Sequence, residues 1–108
     1  MAYDEGIASR IRERVSGEDG ITEKKMFGGL AFLVHGNMAC TASYTGAMLV
    51  RFEKDQHDAV LAEPHMGPMG KKRMRGFAYL SAEGCADEAL FDAWVARSVA
   101  YARSLPKK

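Results

Sequence analysis

The sequence predicts an α+β fold, a two-layer sandwich of a mainly antiparallel sheet with N- and C-terminal helices and a short middle helix. Apolar residues recur at helical spacing near both ends of the chain, and at every second position between Thr22 and Glu53. Runs of strands flanked by helices, in the order α-β-β-β-α-β-α, give a sheet with helices on one face. A length of 108 residues fits one domain spanning 1–108.

Asp4 to Val15 reads as the first helix. Ile7, Ile11 and Val15 form one stripe with Ala8 beside it, and Asp4 and Glu5 suit the positive end of the helix. Gly17 is the expected stop. An extra strand is allowed near Glu23 to Phe27. In the next strand Leu30, Phe32 and Val34 face one side while Ala31, Leu33 and His35 face the other, so both faces are partly covered. Gly36-Asn37 reads as a two-residue hairpin turn. Met38 to Ser43 pairs back, and Thr45-Gly46 turns the chain again. Ala47 to Glu53 is a further strand, with Met48, Val50 and Phe52 opposite Leu49, Arg51 and Glu53.

Asp55 is the expected cap of a short helix to Ala62, ended by Pro64. Glu63 to Lys72, with two prolines and two glycines, reads as a loop. Arg75 to Ser81 is a strand with Phe77 and Tyr79 on one face and Leu80 on the other. Gly84 is expected to break it. Asp87 then starts a long amphipathic helix whose stripe runs through Phe91, Trp94, Val95, Ser98, Ala102 and Leu105, and Pro106 stops it.

Fifteen Lys and Arg against fourteen Asp and Glu leave a formal charge of +1. A dedicated nucleic-acid binder shows a basic excess, so any such contact must come from a local patch. The N-terminus lacks the basic lead and apolar stretch of a signal peptide, and no run reaches the ~18 apolar residues of a membrane span. Cys40 and Cys85 are expected to be reduced thiols in a cytoplasmic protein.

Chemistry-bearing patterns are sparse. Gly28-Gly29 lacks the spacing of a phosphate-binding loop and reads as a bulge or sharp bend. His35, His57, His65, Cys40 and Cys85 lack zinc-type spacing, although His35 and Cys40 flank one hairpin. No serine sits in a G-x-S-x-G elbow. No catalytic residue, metal or cofactor is therefore expected. Lys71-Lys72-Arg73-Met74-Arg75 is the sharpest charge feature. Lys71, Lys72, Arg73 and Arg75 form a weak, nonspecific nucleic-acid contact beside Phe77 and Tyr79, or else a solvated strand start that keeps an edge from aggregating. Met66 and Met69, in a Gly-Pro loop, belong either to the core or to a partner surface.

At Met26-Phe27-Gly28-Gly29, with Phe32, Gly36 and Met38, the chain resembles the N-terminal domain of the TfoX/Sxy family. The likeness continues through Leu49-Val50-Arg51 and Met74-Arg75-Gly76-Phe77, and spans about Thr22 to Ser81. These motifs are mostly structural glycines and core apolar residues. The resemblance implies the same two-layer fold and a regulatory or interaction role. Founding members regulate competence genes and carry a second, C-terminal domain, which a chain ending at Lys108 is expected to lack. Two readings stand. One is a non-enzymatic regulatory module acting through an unknown protein partner or weak nucleic-acid contact. The other is a small-ligand or enzymatic domain with a pocket between sheet and helices. A homodimer is expected, since similar folds often pair and the strands are rich in apolar residues.

Overall fold

A computed structural model describes residues 4–26, 28–43, 45–68 and 75–107. Helix α1 (Glu5–Arg14) leads into strands β1 (Ile21–Met26), β2 (Gly29–Val34), β3 (Asn37–Ser43) and β4 (Met48–Arg51). A 3₁₀ turn (Lys54–Gln56) runs into α2 (His57–Leu61). Strands β5 (Met66–Pro68) and β6 (Phe77–Leu80) and helices α3 (Ala82–Ala86) and α4 (Glu88–Ser104) complete the described chain. The strands form one antiparallel sheet in the order β1-β2-β3-β4-β6-β5. The α+β sandwich read from the sequence is the fold observed.

Local signals start the helices. The Asp4 carboxylate accepts the Ile7 N–H at 3.0 Å, while its own N–H donates to the Ser43 carbonyl and ties α1 to the end of β3. Asp87 caps α4 in the same way through the Leu90 N–H at 3.2 Å. Such a cap contributes about 1 kcal/mol. Burial decides more. Phe91, Trp94, Val95, Val99 and Ala102 are all at most 5% exposed, and each large apolar side chain contributes roughly 1.5–3 kcal/mol. Packing therefore holds α4 in place, and its cap sets where it begins.

Four details differ from the sequence reading. The β2–β3 turn consists of His35 and Gly36, at φ 49° and 86°, one residue earlier than Gly36-Asn37. Both residues need the left-handed region that such a two-residue turn uses, and Asn37 is the first residue of β3. The expected loop from Glu63 to Lys72 contains β5, because Met66 and Pro68 pair with Leu80 and Ala78. Asp55 lies inside the 3₁₀ turn, and α2 has no side-chain cap. Gly84 lies within α3 rather than ending a strand. The Ser81 hydroxyl accepts its N–H at 3.1 Å, and a Cβ there would lie 2.6 Å from Leu80 and 2.8 Å from His65.

The double glycine divides its work. Gly28, at φ 70°, turns the chain between β1 and β2. Gly29 lets two strands close up, since a Cβ there would lie 2.1 Å from the Ala42 carbonyl oxygen. The register slip expected nearby sits further on, between Phe32 and Leu33, opposite Ala39. Both sheet edges are blunted. Outer strand β1 exposes Glu23, Lys24 and Lys25, and outer strand β5 is three residues long and ends in Pro68.

The slip sorts side chains into two clusters. The larger holds Phe32, Val34, Ala39, Cys40, Met48, Val50 and Phe52 beneath residues of all four helices. Phe52 meets the Trp94 ring edge-on, with centroids 5.7 Å apart. Cys40 is sealed here and Cys85 is 1% exposed, and both are free thiols. Burial pushes the Cys40 thiol up to about 12 and the Cys85 thiol up to about 11.

Trp94→Ala should destabilise the domain by about 3–5 kcal/mol in urea titrations, as expected for a large buried ring. The thiols should be silent toward a disulfide reagent in the native state and react once guanidinium unfolds the chain. An unfolded thiol ionises near ~8.5, far below these folded values. The thiols' contribution to stability is therefore complete below that pH and is lost as pH rises toward 11 and 12. A Cys40→Ala/Cys85→Ala variant should show a shallower alkaline decline by circular dichroism.

Candidate functional site: the helix-free face of the sheet

The second cluster contains Ala31, Leu33, Met38, Leu49 and Phe77, with Met26 and Tyr79 packed against it. No described helix contributes to it. Registered partners in an antiparallel sheet share a face. Lys24 pairs with Ala31, Thr41 with Leu49, Leu49 with Tyr79 and Arg51 with Phe77. These rows define the helix-free face. Its centre is Ala31, Thr41 and Leu49, all at 0% exposure, and the Thr41 hydroxyl has no hydrogen-bond partner among the described residues. One side carries Phe77 and the half-buried Tyr79. Solvated faces of antiparallel sheets are normally polar. This one is apolar and shielded, with Leu33, Met38 and Phe77 at most 9% exposed.

Its charge is one-sided. Among the described residues, its charged side chains by register are Lys24 and Arg51, and none is a carboxylate. Glu23 points the other way, where Arg12 donates to it at 2.7 and 2.9 Å and holds its carboxyl below the usual range. Arg51 is half-buried at the end of β4. Its guanidinium lies 5.4 Å from the Phe77 ring centre and 5.7 Å from that of Tyr101, and it donates to the Met38 carbonyl at 3.4 Å. No carboxylate pairs with it among the described residues.

Next to this face the chain returns from the β5–β6 connection through a built corner. The buried His57 ring accepts the Gly76 N–H on Nδ1 at 3.1 Å and stacks on Phe52. An acceptor Nδ1 places the neutral ring's proton on Nε2. Gly76 has φ 84°, and its carbonyl accepts the Phe52 N–H at 2.9 Å. Arg75 donates to the Lys54 carbonyl at 3.1 Å and is otherwise exposed. Lys71, Lys72 and Arg73 of the basic cluster, and Met69, lie outside the described residues. Met66 is half-buried against the main core, on the helix side of the sheet.

Sequence reasoning missed Arg51 and His57. The signal for Arg51 was available in its alternation with Leu49, which puts it on the aromatic row. Nothing in the sequence marks His57, because its partner is a backbone N–H nineteen residues away.

Other arrangements offer less chemistry. A half-open groove of about 340 Å³ runs between the end of α1 and α4, floored by Val15, Val95 and Val99. Its rim charges pair with each other, Arg14 with Asp92 and Arg103 with Glu18. A smaller groove of about 160 Å³ lies beside Trp94. Neither is lined by a strand residue, so neither is a pocket between sheet and helices. The His35 ring occupies the space over Gly20, and Cys40 is sealed in the core. Among the described residues no three His, Cys, Asp or Glu side chains are grouped to hold a metal. None of the described helices is long and apolar enough to cross a membrane.

No curated protein and no solved structure matches the chain. The family model described as the TfoX N-terminal domain matches residues 13–102, from the end of α1 through the whole sheet to most of α4. With that match over most of its length, the chain belongs to the TfoX N-terminal domain family.

Proposed function

We propose that this domain is a non-enzymatic regulatory module that works by presenting the helix-free face of its sheet to a partner macromolecule. The family membership supports a regulatory type of domain. The observation that carries the reading is the composition of that face: a shielded apolar centre, an aromatic side, two cations and no carboxylate. The groups of this face that a partner can reach are the exposed Lys24 and the half-buried Arg51 and Tyr79. The inaccessible thiols and self-paired groove charges leave the small-ligand or enzymatic alternative with less support. A cytoplasmic location fits two free, buried thiols. The partner is a protein, a second copy of the chain or a nucleic acid contacted weakly by the basic residues.

Affinity capture with the tagged domain should separate this face from the rest of the surface. Lys24→Glu and Tyr79→Glu should each reduce the captured partner at least about tenfold, as loss of a central contact does. Glu13→Lys, on the exposed side of α1, should leave capture unchanged. An identical captured set from all three variants would overturn the reading. Sedimentation equilibrium at tens of micromolar should show a dimer if the partner is a second copy.

A further inference from the structure

We propose that the open groove between the end of α1 and α4 is a self-association surface, filled by the same surface of a second copy of this chain laid antiparallel to it. This goes beyond the reading of the helix-free face and does not rest on it, since it uses the opposite side of the sheet.

The first observation is one of shape. The groove encloses about 340 Å³ and stands half open to solvent. Its floor is Val15, Val95 and Val99, each at most 5% exposed, and its α4 wall carries Ala96 and Ala100, both exposed. Alanine methyls let a second helix come close, and the groove beside them takes the side chains that stand along that helix's own ridge. The two ends are bridged by ion pairs, Arg14 with Asp92 and Arg103 with Glu18, the latter at 2.8 Å. Arg103 also donates to the Asp19 carbonyl at 2.9 Å.

Charge supplies the second observation and selects the occupant. Asp92, Ala96, Val99 and Arg103 all line the groove. Their spacing of four, three and four keeps them within about 60° on the helix, at ~100° per residue. The spacing is the same read in either direction, whereas the charge reverses, with an acid at one end and a base at the other. A second α4 laid antiparallel therefore sets Asp92 of each copy against Arg103 of the other, with Ala96 opposite Val99 twice between them. The α1 side follows the same rule, because Arg14 lies at the Asp92 end and Glu18 at the Arg103 end. Each end of the assembly then gathers Arg14 and Asp92 from one copy with Arg103 and Glu18 from the other, two cations and two anions. A two-fold interface requires a patch complementary to itself, and this patch is. Its balanced charge gives no net attraction to a nucleic acid or to a strongly charged peptide. The shared line is about 16 Å long at ~1.5 Å per residue, so the contact falls at the small end of stable interfaces and the expected dissociation constant is tens of micromolar.

Sedimentation equilibrium with the intact chain tests this. The chain should be dimeric at high micromolar concentration and dissociate on dilution. Ala96→Glu, which puts a charge in the middle of the line, should weaken association at least about tenfold. Asp92→Arg and Arg103→Asp should each weaken it to a similar extent, because each sets like charges together at both ends. Mixed in equal amounts, those two variants should associate within about threefold of the parent chain, since only the mixed pair restores an acid–base contact at both ends. Lys24→Glu, on the other face of the sheet, should leave the dimer unchanged. Thermal melts show whether each variant is folded, and the mixing experiment suffices should Ala96→Glu unfold. A chain that stays monomeric at several hundred micromolar, or a mixture that associates no better than its components, would overturn the proposal. So would a dimer lost in Lys24→Glu and indifferent to the groove variants, which would put the second copy on the helix-free face and sustain that reading instead. A monomeric chain that loses a captured protein through Ala96→Glu alone would give the groove a different occupant, and the proposal would fall.

Discussion

The register slip between β2 and β3 determines how this domain divides into a helix-covered core and a second cluster on the other face of the sheet. A strand alternates strictly, so each residue belongs to one side of the sheet. Beyond the slip, Ala39 and Cys40 both enter the helix-covered core, and Met38 returns to the other face with Leu33. Without it, either Met38 or Cys40 would be on the wrong side, and a one-residue shift exchanges the whole set. The larger core then has room for the broad side of α4, with Trp94 against Phe52. The smaller cluster is left with residues of the strands alone.

Much of this was legible in the chain because period and capping are local. The stripe of Ile7, Ile11 and Val15, the acidic helix starts at Asp4 and Asp87, and the alternation of Leu30, Phe32 and Val34 each follow from neighbours a few residues apart. The misread parts depend on distant groups. β5 is three residues long and exists because β6 offers it a ladder, so its Gly and Pro content suggested a loop. Gly84 looked like a breaker because its crowding by Leu80 and His65 is invisible in one dimension. The turn was placed one residue late because Asn37 suits a left-handed turn as well as His35 does, and pairing decides between them. For the candidate site, Phe77 and Tyr79 were readable as one row. Arg51 was readable on the Leu49 side of its own strand, but its place beside Phe77 and Tyr101 depends on the pairing of β4 with β6 and on the last helix.

The distribution of charge matters more than its sum. On the helix side arginines meet carboxylates in pairs, as Arg12 with Glu23 and Arg97 with Glu53. Exposed pairs of this sort contribute at most about 1 kcal/mol each, so their main effect is to neutralise that surface. On the other face Arg51 is held by a carbonyl and two rings, none of which cancels its charge. The molecule is nearly neutral as a whole and cationic on one side.

The blunted edges of the sheet carry a consequence for how any complex must be built. Recognition by strand addition needs a free ladder at an edge, where an extended chain can hydrogen-bond along a long outer strand. β5 offers three residues ending in a proline, and β1 offers a row crowded by lysines and a glutamate. A guest of this domain is therefore poorly served alongside the sheet. Any complex would have to rest on side-chain shape and charge rather than on main-chain pairing.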